Sequence, residues 1–194
     1  MPYAWQNVMP IQSRGYVCGY CSHRVGPNTG FSAGGQAQVF IYICSYCTRP
    51  TYFGSDGKQY PGVPLGVPVE NVPKEIGSLY AEARQCASVG SHTSAVLTCR
   101  KILMHIAVQK GAKAGDSFVS YVEYLASKGY APPDAKTWVD YIRQKGNEAN
   151  HEIKVMSEQD AQPLIAFVEM LLKLIYEFPQ KVPSVAPSQL PQTS

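Results

Sequence analysis

Residues 60–73 read YPGVPLGVPVENVP, and the chain changes character across them. The stretch holds four prolines and two glycines. Proline fixes φ and removes an amide donor, so an extended connector is expected here, not a helix or a central strand. Up to residue 72 the chain holds most of its glycines, four of its six cysteines and many of its tyrosines. Runs such as Ala37-Gln-Val-Phe-Ile-Tyr-Ile43 cluster aromatic and β-branched residues, which favours short strands. No internal repeat is read from this segment.

Beyond Pro73 the texture is helical. Ile76, Leu79, Tyr80, Ala83 and Ala87 fall at helical spacing over 74–89, with Pro73 suited to the helix start and Gly90 to its end. Val96, Cys99, Leu103 and Ile106 repeat the pattern over 92–110. Asp116 reads as the N-cap of a third helix closed by Gly129. A fourth helix is expected from about Ala135, with Trp138, Val139 and Ile142 inward. Ser157 and Asp160 form a capping arrangement for a last helix through Phe178. Short connections between four or five helices suggest an antiparallel bundle. The tail, 179–194, is rich in Pro, Ser and Gln, and disorder is expected there.

The expected architecture is therefore mainly α: a zinc ribbon over 1–59, a connector over 60–73, and an antiparallel four- to five-helix bundle over 74–178. The formal charge of +3 does not demand a polyanionic partner. No stretch approaches the roughly 18–20 apolar residues of a membrane helix. The first residues lack a basic region followed by an apolar run, so a cytoplasmic protein is expected.

In a reducing compartment, paired cysteines read as a metal site rather than a disulfide framework. Cys18-x2-Cys21 and Cys44-x2-Cys47 are separated by 22 residues. Each pair suits a tight knuckle whose backbone amides point at the thiolates. Two knuckles supply four sulfurs to one tetrahedral Zn²⁺ and leave no position for substrate, so the site is structural. Iron in the same ligand set is the rival. His23 is a weaker substitute ligand. Cys86 and Cys99 read as small buried hydrophobes on helices. Tyr16, Tyr20, Tyr42, Tyr46 and Tyr52 surround the cysteines and suit either ribbon packing or stacking on bases.

A second constellation lies in Ile142-Arg-Gln-Lys-Gly-Asn-Glu-Ala-Asn-His151. On a continuous helix Arg143, Asn147 and His151 share one face. A planar cation, an amide and a titratable imidazole suit phosphodiester binding and general acid–base chemistry. The same residues equally suit a solvated face and backbone capping.

The order YPGVPLGVP, Pro73-Lys-Glu-Ile, Tyr80-x-Glu-Ala, Ala95…Arg100-Lys-Ile-Leu and Ile142-Arg-x-x-Gly-Asn-x-x-x-His resembles a bacterial domain of unknown function, number 4145. That domain accompanies type I restriction enzyme subunits and is similar to the HEPN group of helical bundles. The resemblance covers roughly residues 60–178. It implies a HEPN-like bundle that often dimerises, in a bacterial defence or mobile-element setting. Two functions follow. One is a zinc-ribbon binding module for nucleic acid, RNA included, or for a protein partner. The other is a metal-independent endoribonuclease with Arg143 and His151 as the catalytic pair and Asn147 as support. Arg100 matches a recurrent position on the second helix. In this sequence seven residues separate Arg143 from His151.

Overall fold

The computed structural model describes residues 3–34, 38–131, 136–151 and 153–181. The first sixty residues form β1 (Met9–Pro10), β2 (Tyr16–Val17), β3 (Arg24–Val25), β4 (Thr29–Ser32), β5 (Phe40–Ile43), β6 (Pro50–Phe53) and β7 (Gln59–Tyr60). Five of them make one antiparallel sheet in the order β1-β4-β5-β6-β7, and β2 pairs with β3 as a separate ribbon. Tyr42 stands opposite Gly30 on one side and Thr51 on the other. Gly30 is required there: a Cβ would come 1.9 Å from the Ile41 carbonyl oxygen.

The sheet and the ribbon share a small core of Tyr16, Cys18, Val25, Tyr42, Cys44 and Phe53. Phe53 meets Tyr16 at 5.2 Å and Tyr42 at 5.7 Å, both edge to face, the arrangement that aromatic quadrupoles favour. Arg14 closes this core by laying its guanidinium over the Phe53 ring at 3.9 Å.

The expectation of a mainly α bundle with only a small β ribbon in front is corrected by these strands. Among the described residues the N-terminal part is a five-stranded sheet plus a two-stranded one, and the chain is α+β. The strands are two to four residues long. Such short strands leave almost no period-2 signal. Both outer strands lie where no strand is expected from sequence, β1 at Met9–Pro10 and β7 running into the connector.

The helices are α1 (Lys74–Ser88), α2 (His92–Gln109), α3 (Phe118–Ser127), α4 (Lys136–His151) and α5 (Glu158–Leu172). A π-helical turn, Lys173–Glu177, then leads into α6 (Phe178–Lys181). Helix α2 is the hub, packed against α1, α3, α4 and α5. It can serve four neighbours because Ala95, Val96, Cys99, Ile102, Leu103, Ile106 and Ala107 are all buried. The Ser157–Asp160 capping box starts α5 as expected. Ser117, not Asp116, caps α3, accepting from the Ser120 amide. Residues 182–194, most of the segment read as a tail, lie outside the described residues, as does Ala37.

The connector lies on the helices and is held by buried polar groups. Arg84 donates from Nε to the Leu65 carbonyl and from Nη2 to the Gly66 carbonyl, both at 3.0 Å. Glu169 accepts from the Val67 amide and the Tyr80 hydroxyl. Glu177 accepts from the Glu70 amide. A proline-rich segment has few amides of its own to donate, so these side chains satisfy backbone groups that no strand neighbour reaches.

Candidate metal centre

Cys18 and Cys21 follow β2, and Cys44 and Cys47 follow β5. Each pair closes into the same turn. The Cys18 amide donates to the His23 carbonyl at 2.9 Å, and the Ser22 amide to the Cys18 carbonyl at 2.8 Å. In the second turn the Cys44 amide donates to Arg49 at 3.0 Å, and the Thr48 amide to Cys44 at 2.9 Å. Ser22 and Thr48 both sit in the left-handed region, at φ 60° and 58°. Small hydroxyl residues stand at these two costly positions.

These equivalences expose an internal repeat that sequence reading passed over. Tyr16-Val-Cys-Gly-Tyr-Cys-Ser-His-Arg-Val25 aligns in register with Tyr42-Ile-Cys-Ser-Tyr-Cys-Thr-Arg-Pro-Thr51. The signal was present: Tyr, Cys, Tyr and Cys recur at the same four places in both decapeptides.

The four Sγ atoms lie within 4.8 Å of one another, and this is the group the described residues offer for a metal ion. Cys18 Sγ is 3.7 Å from Cys47 Sγ, and Cys21 Sγ is 3.8 Å from Cys44 Sγ. A tetrahedron with metal–sulfur bonds of about 2.3 Å has edges of about 3.8 Å, so the thiols fit zinc. A disulfide needs sulfurs about 2.05 Å apart, and all six cysteines are free thiols. Cys18 and Cys44 are buried, Cys21 and Cys47 half-buried.

Burial pushes the Cys21 and Cys47 thiols up, Cys47 to about 12. At Cys44 desolvation also acts upward, but hydrogen bonds from the Cys47 and Tyr46 amides outweigh it and hold the thiol below its ordinary value. The amides aimed at Cys44 stabilise the thiolate that a metal requires, whereas at Cys21 and Cys47 a metal must displace the protons that burial favours. A metal ion held by all four sulfurs would have no open position for substrate.

His23 is not among the ligands. Its Nδ1 lies 3.0 Å from the Cys21 carbonyl oxygen, and its ring stacks on Tyr46 at 3.6 Å, 19° from parallel. By the repeat, Arg49 corresponds to His23 and Tyr20 to Tyr46. Arg49 accordingly stands over Tyr20, at 5.1 Å. Each knuckle thus lends its last side chain to the tyrosine of the other. Tyr20 and Tyr46 are exposed, Tyr46 at 65%. Of the other tyrosines named from sequence, Tyr16 and Tyr42 are core and Tyr52 is exposed. Cys99 is fully buried among the helices and Cys86 half-buried, apart from the centre.

The second constellation lies on α4, which runs unbroken through Gly146. Arg143 and Asn147 line one shallow hollow with Val119, Asp140 and Gln144. The Arg143 guanidinium is held by Glu123 and Asp140, each at 3.0 Å. Arg100 reaches across from α2, donating to the Gly146 carbonyl at 2.7 Å and to Asn147 Oδ1 at 3.4 Å, with its guanidinium over Phe118. His151 ends the helix, and its side chain lies outside the described residues.

Among the described residues no helix is long and apolar enough to cross a membrane. A family model described as "Domain of unknown function (DUF4145)" matches residues 81–192. No curated protein and no solved structure matches the chain. The family match begins within α1, so the four cysteines precede it. Covering more than half of the chain, it shows that the chain belongs to the DUF4145 family.

Proposed function

We propose that this DUF4145 family member is a binding module in which Zn²⁺ clamps the two knuckles and their outer face holds single-stranded nucleic acid. The observation that carries the reading is the reciprocal pairing of exposed tyrosines with basic side chains, Tyr46 with His23 and Tyr20 with Arg49. Every base has a π-face, so rigid aromatic platforms, one of them beside the Arg49 cation, suit a strand without demanding its sequence. His23 stiffens Tyr46 from one side and leaves the other ring face to solvent.

Charge is distributed to match. Residues 1–59 hold Arg14, Arg24, Arg49 and Lys58 against Asp56 alone, which accounts for the whole formal +3 of the chain. Lysines and arginines balance acids over the remaining residues. Arg24 is exposed and free to meet a phosphate, whereas Arg14 is occupied by Phe53 and Gly57. The ribonuclease reading has weaker support, because Glu123 and Asp140 already neutralise Arg143.

The test is fluorescence anisotropy with labelled single strands of about 12 nucleotides, RNA and DNA, against a duplex control. Tyr46→Ala is expected to weaken single-strand binding by roughly 5- to 100-fold, the range of one stacked base. Arg24→Gln is expected to lower the salt slope by about one. Binding that is undetectable at low salt, or indifferent to both substitutions, would remove the proposal.

A further inference from the structure

The two knuckles share sequence and backbone, and they differ in what covers their tyrosines. On Tyr46 the His23 ring lies flat at 3.6 Å and seals that side. On Tyr20 the corresponding Arg49 stands off at 5.1 Å. The surroundings differ as well. Ser45 of the second knuckle is exposed, whereas its counterpart Gly19 is buried against the connector. Docking the first knuckle there leaves a cavity of about 390 Å³ between Tyr20, Arg49, the connector prolines and α1. That volume is within the range of small-molecule sites, roughly 300–1,000 Å³.

The chemistry of the walls is specific. Pro61, Pro64 and Pro68 supply a rigid apolar side, and Ala81 and Val89 line it from α1 and its end. Arg49 and Arg84 both line the cavity, and no carboxylate does. Arg84 commits Nε and Nη2 to the connector carbonyls, while Arg49 is exposed. A tyrosine ring and proline faces beside an uncompensated guanidinium favour a ligand that is both planar and anionic. A second hollow adjoins it, lined by Tyr3, Trp5, Tyr20, Arg49 and Pro50. Tyr20 and Arg49 are the wall common to both, so one strand can pass from the Trp5 side into the cavity.

We infer that this cavity seats one nucleotide of the bound strand, its base between Tyr20 and the proline wall and its phosphate on Arg49. The inference rests on the single-strand reading of the knuckle face and adds to it a defined subsite. The face alone would treat a strand as a run of equivalent bases; the cavity holds one of them apart.

The experiment titrates the zinc-loaded full chain with each of the four nucleoside 5′-monophosphates, by calorimetry and Trp5 fluorescence. Adenosine and ribose 5-phosphate separate the two halves of the ligand. At least one monophosphate is expected to bind saturably, and each half-ligand at least about fivefold more weakly, the loss expected for one stacking or one phosphate contact. Ala81→Trp and Val89→Trp fill the cavity from two directions without touching the knuckles. Both are expected to abolish monophosphate binding, with zinc content and helical circular dichroism showing that each is folded.

No saturable binding of any monophosphate, or affinities unchanged in both filled variants, overturns the inference. The labelled strands of about 12 nucleotides are run on the same proteins. Strand binding that persists without monophosphate binding removes the subsite and leaves the face. Failure of the unmodified chain to bind strands removes the face, and the strand subsite with it.

Discussion

Gly19 lies against the connector at Pro61: a Cβ on Gly19 would stand 2.4 Å from the Pro61 carbonyl oxygen. The Gly62 oxygen would be as close, at 2.5 Å. Three further hydrogen bonds tighten the same joint. The Gly62 amide donates to the Ser88 carbonyl at the end of α1, and Gln59 Nε2 donates to both Val17 and Pro61. The first knuckle is therefore seated on the connector by close backbone contact, with the Gln59 side chain bridging the two.

Gly19→Ala should accordingly destabilise the protein by about 1–3 kcal/mol, the cost of overpacking a rigid contact. Ser45→Ala, at the equivalent exposed place in the second knuckle, should change stability by less than about 0.5 kcal/mol. Thermal melts of the two variants would decide between a seated first knuckle and two knuckles free of the helices. Equal effects would contradict the seating.

Metal content gives the next expectation. One zinc per chain is expected, lost in Cys44→Ser and retained in Cys99→Ser, because only the former supplies a centre sulfur. Thiolates must shed protons to bind metal, so affinity should fall as pH falls. Chelation should unravel the small sheet core, where Cys18 and Cys44 are structural members. The helical signal should persist, since the α2 hub draws on none of the four ligands. Zinc release with a chromogenic chelator, followed with far-ultraviolet circular dichroism, checks both halves of this expectation.

How far these features could be read in advance depended on the length of the element. Helices α1, α2 and α5 span 15 to 18 residues, enough for four or five turns of apolar spacing to register. The α5 start was also legible, because Ser157 and Asp160 make a reciprocal cap from local sequence alone. The sheet was not: Met9–Pro10 and Gln59–Tyr60 become strands through partners 19 to 21 and 6 to 8 residues away, Thr29–Gly30 and Tyr52–Phe53. The cysteine ligands were plain from spacing. The side-chain exchange between knuckles was not, because His23 and Arg49 share neither size nor chemistry. Arg143 could be placed on the Asn147 face from its spacing, but Glu123, on another helix, could not be foreseen as its partner.

Gly146 makes a prediction that opposes helix propensity. Inside α4, replacing glycine by alanine would ordinarily stabilise by about 1 kcal/mol. Here a Cβ would fall 2.0 Å from Phe118 Cε1, within a fully buried ring contact. Gly146→Ala is therefore expected to destabilise by about 1–3 kcal/mol. In a Phe118→Leu background the clash is relieved, and the same substitution should cost little or turn favourable. A double-mutant cycle by urea denaturation measures the coupling, and strict additivity would refute the close packing.

Asp160 links the α5 cap to pH. The Ser157 backbone amide, then Lys145, holds its carboxyl well below the usual carboxylate range. Its side chain is 17% exposed, so water screens the pair only in part. A depressed carboxylate contributes its full stability above the unfolded value of about 3.9 and loses it as pH falls toward the folded value. Lys145 shifts the other way: the hydrogen bonds it donates to Asp160 and Glu148 raise it. Its contribution is complete below the unfolded lysine value of about 10.4 and is lost as pH rises through the folded one. Between those limits Asp160→Asn should cost about 1–2 kcal/mol, the range of a lost cap. Below about pH 4 the penalty should begin to shrink, because the unfolded chain then takes up the proton that the folded carboxylate resists, and it should vanish only as pH reaches the folded value. Stability measured by denaturant from pH 3 to 8 tests this. A variant penalty that stays constant down to pH 3 would show that the Asp160 charge does not stabilise the cap.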